Sequence, residues 1–107
     1  KIDVEGHEFN VIKGFSDSIK SGRIDLIQFE RATAGGTEKI FNYFEYFEQF
    51  GFYIGKLYPD YIELYETYSY VLEEYIGSNW IAIRKQSKTF ANISRFVKLI
   101  KHPIRRL

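Results

Sequence analysis

The sequence predicts an α/β fold in which strands alternate with amphipathic helices around a parallel pair. Three features carry that expectation. The run Ile24, Leu26, Ile27, Phe29 is short and nearly continuously apolar, as in a strand covered on both faces. Two longer stretches repeat apolar residues at three- and four-residue spacing, the period of a helix with one buried face. Gly22, Gly51 and the pair Pro59-Asp60 punctuate the pattern where elements should end.

Lys1 to Val4 read as the end of a strand. A helix follows from about His7 to Ser21, with Phe9, Ile12, Phe15 and Ile19 on its apolar face. Gly22 suits a left-handed cap, and Gly14, costly inside a helix, is expected to mark close packing against the sheet. Arg23 to Glu30 form the second strand; strand, helix and strand in this order imply a right-handed crossover and a parallel pair. After a loop with two glycines, Thr37 is expected to cap a helix reaching about Phe50, with Ile40, Phe41, Phe44 and Phe47 as its stripe.

Phe52 to Tyr58 and Tyr61 to Tyr65 alternate as a hairpin turning at Pro59-Asp60. Tyr68 to Tyr75 are a short helix or an irregular connection, and Ser78 to Arg84 the last strand. From Lys88 to Ile100 the residues Phe90, Ile93, Phe96, Val97 and Ile100 fall on one helical face with cations opposite, and His102-Pro103 stops the helix. Residues 1–86 therefore read as the globular part and 87–107 as a basic amphipathic helical tail.

With 45% hydrophobic residues among 107, ten Phe, nine Tyr and no Met, the chain can bury an aromatic core. No apolar run approaches the roughly 20 residues that span a bilayer. The absence of Cys excludes a disulfide framework and a thiolate metal site, and accords with a cytoplasmic setting. Net charge is only +1, but unevenly spread. Between Thr37 and Tyr75 lie eight acidic residues and two lysines; after Tyr75 there are eight Lys and Arg and no acid. The acidic middle repels a phosphate backbone, so its tyrosines are read as core and sheet residues and no nucleic-acid partner is expected. The tail is either a helix docked on that acidic segment or a peripheral contact with an anionic membrane.

The chemistry concentrates in Lys1-Ile2-Asp3-Val4-Glu5-Gly6-His7-Glu8, where a strand gives way to a helix. In open α/β sheets ligands sit outside the carboxyl ends of strands. If Lys1 to Val4 and Arg23 to Glu30 are neighbours, then Asp3 or Glu5 shares a rim with Glu30. Such carboxylates could bind a divalent cation, or one could act as general base toward a substrate hydroxyl. The structural alternative is that Asp3, Glu5 and Glu8 favour the positive amino end of the following helix. His7 titrates near neutrality and is a candidate proton acceptor, although a lone histidine at a helix start is more often a surface residue. Arg31 could pair with Glu30 or orient an acidic substrate, the commoner case being an exposed strand-end arginine.

KIDVEGHE, followed by Val11-Ile12-Lys13-Gly14 and then Ile24-Asp25-Leu26-Ile27-Gln28-Phe29-Glu30, resembles the FkbM family of S-adenosylmethionine-dependent methyltransferases over about Lys1 to Lys85. The resemblance implies the carboxyl-terminal half of a Rossmann-like class I methyltransferase sheet, with parallel strands and an antiparallel terminal strand inserted beside Arg23 to Glu30. It implies that the amino-terminal half, with the glycine-rich loop that cradles the cofactor, is missing from this sequence, and that the segment alone is inactive. It further implies O-methylation of a small-molecule or glycan acceptor, with Asp3, Glu5, Glu30 and His7 as candidate catalytic residues and Asp3 also facing the cofactor. A non-catalytic module whose basic tail binds a membrane or a protein partner is the alternative.

Overall fold

The computed structural model describes residues 8–31, 39–75 and 79–104. Within them lie helices α1 (Glu8–Gly14), α2 (Ser16–Lys20), α3 (Ile40–Glu48) and α4 (Lys88–Ile93). Strands β1 (Leu26–Glu30), β2 (Phe52–Leu57), β3 (Ile62–Tyr65), β4 (Asn79–Arg84) and β5 (Val97–Ile100) form one mixed sheet in the order β1-β4-β2-β3-β5. The expected strand Lys1 to Val4, the helix cap at Thr37 and their neighbours lie outside the described residues.

The first helical stretch is broken rather than continuous. At Phe15 the backbone leaves helical angles (φ −98°, ψ 16°), and its N–H donates to the Ile12 carbonyl three residues back. Gly14 has the weakest helix preference after proline. The break turns Phe15 out to solvent, while Ile12 and Ile19 remain fully buried. Gly14 itself is exposed, with open space where a Cβ would stand, so it does not mediate close packing. At the far end Gly22 adopts φ 80°. The bonds Gly22 N–H to Ile19 O and Arg23 N–H to Ser18 O complete a Schellman cap.

Alternation decides which face of each strand enters the main core. Ile27 and Phe29 of β1, Phe52 and Ile54 of β2, Tyr65 of β3, and Trp80 and Ala82 of β4 pack with Ile12, Ile19, Tyr43, Phe44, Phe47, Leu72 and Tyr75. The Phe29 and Tyr43 rings stack at 4.3 Å, tying β1 to α3. On the opposite face Leu64, Ile81 and Ile83 form a smaller cluster, covered by Phe90 and Ile93 of α4. That cover does not extend over Leu26, which is 44% exposed. β1 is therefore an alternating strand rather than one buried on both faces. Its apolar run misled because Ile24 precedes the strand and Leu26 points away from the core.

The hairpin forms as the turn chemistry predicts, with Tyr58 N–H donating to Tyr61 O. Tyr70–Glu74, ambiguous in sequence, form a 3₁₀ turn whose entry is held by Ser69. β4 runs antiparallel between β1 and β2, as the resemblance implied. β2 is central in the sheet: β3 and β5 lie beyond it.

The tail departs most from expectation. Its helix ends at Ile93; Ser94–Phe96 form a 3₁₀ turn, and Val97–Ile100 pair in parallel with β3. Ile93, Val97 and Ile100 satisfy a helical spacing, but the open edge of β3 offers hydrogen bonds to an extended Val-Lys-Leu-Ile segment, and tertiary pairing overrides the local pattern. The expected docking on the globular part does occur, without an ion pair between the basic segment 85–104 and the acidic stretch among the described residues.

Candidate functional site

β1 and β2 are both antiparallel to β4 and so parallel to each other, which brings their carboxyl ends to one edge of the sheet. Glu30 is the last residue of β1, half-buried, and its Cα partner across the ladder is Asn79 at the start of β4. Of the sequence-derived candidates, Glu30 alone is described; Asp3, Glu5 and His7 fall outside the described residues.

Immediately after Glu30, Arg31 enters a network that sequence reading missed. Its Nη2 donates to Glu73 Oε1 at 2.9 Å and its Nη1 to the Glu73 carbonyl at 3.2 Å. The Glu73 carboxylate also accepts the backbone N–H groups of Ile40 (2.8 Å) and Phe41 (2.9 Å), the orphan donors of the first turn of α3. A fourth bond comes from Tyr68 Oη at 2.6 Å. With four donors the carboxylate has no acceptor site to spare. Burial, then this bond to Glu73, holds the Tyr68 phenol well above its ordinary pKa. The Arg31 side chain is only 12% exposed, so it is not the exposed strand-end arginine that is the commoner case. Glu73 thus joins the end of β1 to the start of α3 beside the candidate rim. No local signal reveals this, since the partners lie 42 and 33 residues away.

Two further charges are buried near the same edge. Lys56 and Glu63 are Cα partners across β2 and β3 and are 3% and 4% exposed. Lys56 Nζ stands 5.4 Å from the Trp80 ring and 5.6 Å from that of Tyr58, and Glu63 Oε1 accepts from Tyr65 Oη at 2.8 Å. Burial, reinforced by this bond and by the Glu63 charge, pushes the Tyr65 phenol far upward. Here sequence did hold a clue: in Phe52-x-Ile54-x-Lys56 the lysine falls on the core side of an alternating strand.

Among the described residues, no group of three or more His, Asp or Glu gathers as a metal site. An open cleft of about 330 Å³ lies beside Arg84 and Gly51, and one of about 240 Å³ beside the hairpin turn and Phe96; Glu30 lines neither. What the rim offers chemically is a carboxylate at a strand end, held by a rigid neighbour.

A protein-family model described as the methyltransferase FkbM domain matches residues 1–71 of the 107. No curated protein and no solved structure matches the chain.

Proposed function

Because the chain belongs to the methyltransferase FkbM domain family, we propose that it supplies the acceptor side of an S-adenosylmethionine-dependent enzyme that methylates a hydroxyl on a sugar or another small metabolite. Family membership supports methyl transfer. The carrying observation for the site is Glu30 at the carboxyl end of β1, in a sheet where antiparallel β4 is inserted between parallel β1 and β2. That arrangement supports a Rossmann-like sheet, whose ligands sit outside the strands' carboxyl ends.

An alcohol is a poor nucleophile until its proton is removed, and a carboxylate within hydrogen-bond reach can take it. In this reading Glu30 and Asp3, with Glu5 on the same rim, hold the acceptor hydroxyl, and one of them receives its proton. S-adenosylmethionine supplies the electrophilic methyl group. Arg31, engaged by Glu73, leaves the strand end fixed, so that positioning costs little at the moment of reaction.

The test is Asp3→Asn and Glu30→Gln in the active protein, scored by release of S-adenosylhomocysteine. Loss of a general base lowers the rate by about 10² to 10⁴-fold. A chelator separates base from metal ligand: activity lost to chelation and restored by Mg²⁺ or Mn²⁺ assigns the carboxylates to a cation. Near-normal turnover in both folded variants rejects the assignment and leaves His7 to be tested as the base.

A further inference from the structure

We propose that the outer edge of β5 receives an extended segment of a partner protein as an added strand, one whose side chains alternate acidic and apolar. β5 ends the sheet: it pairs with β3 on one side, and no strand lies beyond it among the described residues. In a parallel ladder, alternate residues turn both their N–H and their C=O to the neighbouring strand. The Ile100 carbonyl accepts from Glu66 N–H at 3.0 Å, so Lys98 and Ile100 address β3 while the intervening Leu99 addresses the open side. Leu99 thus presents a donor and an acceptor that no hydrogen bond occupies among the described residues. These are the groups that an added strand takes up.

The side chains along the edge specify what is taken. Val97 packs on the smaller cluster and Ile100 on the main core, so alternation sets Leu99 and Lys98 on opposite faces of the sheet. Lys98 is exposed, and Leu99 is 41% exposed. An added strand, alternating in the same way, meets a cation on one face and an apolar side chain on the other. β3 already shows the matching pattern on the inner side, with Glu63 opposite Lys98 and Leu64 opposite Leu99. Glu63 is buried and engaged with Tyr65, and Lys98 has no ion pair among the described residues. Charge complementarity therefore calls for an acid beside Lys98 on the outer side.

Lysine on an edge also guards it. A second copy of this edge would bring its own cations to it, so the residue that discourages self-pairing selects an acidic partner. A nucleic acid answers a cation beside a ring, as at Lys98 and Tyr61. Tyr61, however, is stacked on Tyr58 at 4.8 Å and has Lys98 over its ring at 4.3 Å, which leaves no free face for a base. The unpaired backbone at Leu99 is answered by a strand, and the observations favour a peptide.

The test is fluorescence anisotropy with the full chain and three labelled synthetic peptides. One alternates glutamate and leucine, one alternates lysine and leucine, and the third is the first with its amides N-methylated. The acidic peptide is expected to bind, the basic one at least about tenfold more weakly, and the N-methylated one not at all. Lys98→Glu reverses the preference between the first two. Leu99→Pro removes the outward N–H at a position where an edge strand tolerates proline, and abolishes binding. Circular dichroism checks that both variants fold; if either does not, the three peptides on the unaltered chain decide. Failure of the acidic peptide to bind, equal binding of the acidic and basic peptides, or undiminished binding of the N-methylated one overturns the proposal. Binding of a single-stranded oligonucleotide but not of the acidic peptide overturns it in favour of nucleic acid. A dimer of the chain alone that Leu99→Pro dissolves assigns the edge to a second copy instead.

Discussion

Glu73 is where one side chain settles what its neighbours leave open. The residue before α3, Lys39, makes no side-chain cap, and the first-turn amides of Ile40 and Phe41 are satisfied by a carboxylate from another element. Removing it strips the cap and leaves a mostly buried guanidinium without its carboxylate. Glu73→Ala is expected to destabilise the protein by about 2 to 4 kcal/mol, combining a lost cap with lost charge-assisted bonds. Glu73→Gln, which keeps an acceptor oxygen but not the charge, should lose less. Urea unfolding of the two variants measures the difference; equal losses would show that the charge is immaterial. Glu30 was legible in sequence because it ends an apolar run, whereas Glu73 was not, since nothing local marks a residue that completes a helix 33 positions away.

Among the elements, β2 shows how tightly the hairpin is fitted. A Cβ on Gly55 would collide with the Glu63 carbonyl and crowd the Leu64 side chain, and a backbone carbonyl held in a ladder cannot yield. Gly55→Ala is therefore expected to cost about 1 to 3 kcal/mol, the usual range for overpacking. A thermal melt checks it, and an unchanged midpoint would mean that β2 and β3 separate more easily than their pairing implies. The same hairpin gives β5 its place: its outer edge receives Val97–Ile100, a segment that reads as helix by spacing alone. An available edge, not propensity, chose between the two.

Across the whole molecule, Arg84 closes the end of the sheet opposite the candidate rim. It pairs with Asp25 at 3.0 Å, donates to the carbonyls of Ile19, Ile24 and Phe50, and lies over the Phe52 ring. At the other end and on the flank, tyrosines set the response to alkali. Burial raises Tyr65, Tyr68 and Tyr46, with carboxylates adding to the effect at the first two. A phenol raised in the folded state binds its proton more tightly there than in the unfolded chain. Its contribution is complete below the unfolded pKa of about 10 and is lost as pH rises beyond it. Stability should thus hold steady from neutral pH to about 10 and fall above it. Urea midpoints across that range test this, and Tyr68→Phe should flatten the decline; a slope unchanged by that substitution would show that Tyr68 is not the source.

By itself the sequence determined the class of fold, the hairpin, the Gly22 cap, the aromatic core and the family, because these follow from short-range periodicity, turn chemistry and a compact motif. It also singled out the strand end at Glu30. Only the tertiary structure decided the break at Phe15, the one-sided burial of β1, the Arg31–Glu73 clamp and the strand at Val97–Ile100. The last three depend on what a distant element presents: a covering helix, a carboxylate, or an unpaired edge. Local spacing carries no record of which surface will be waiting.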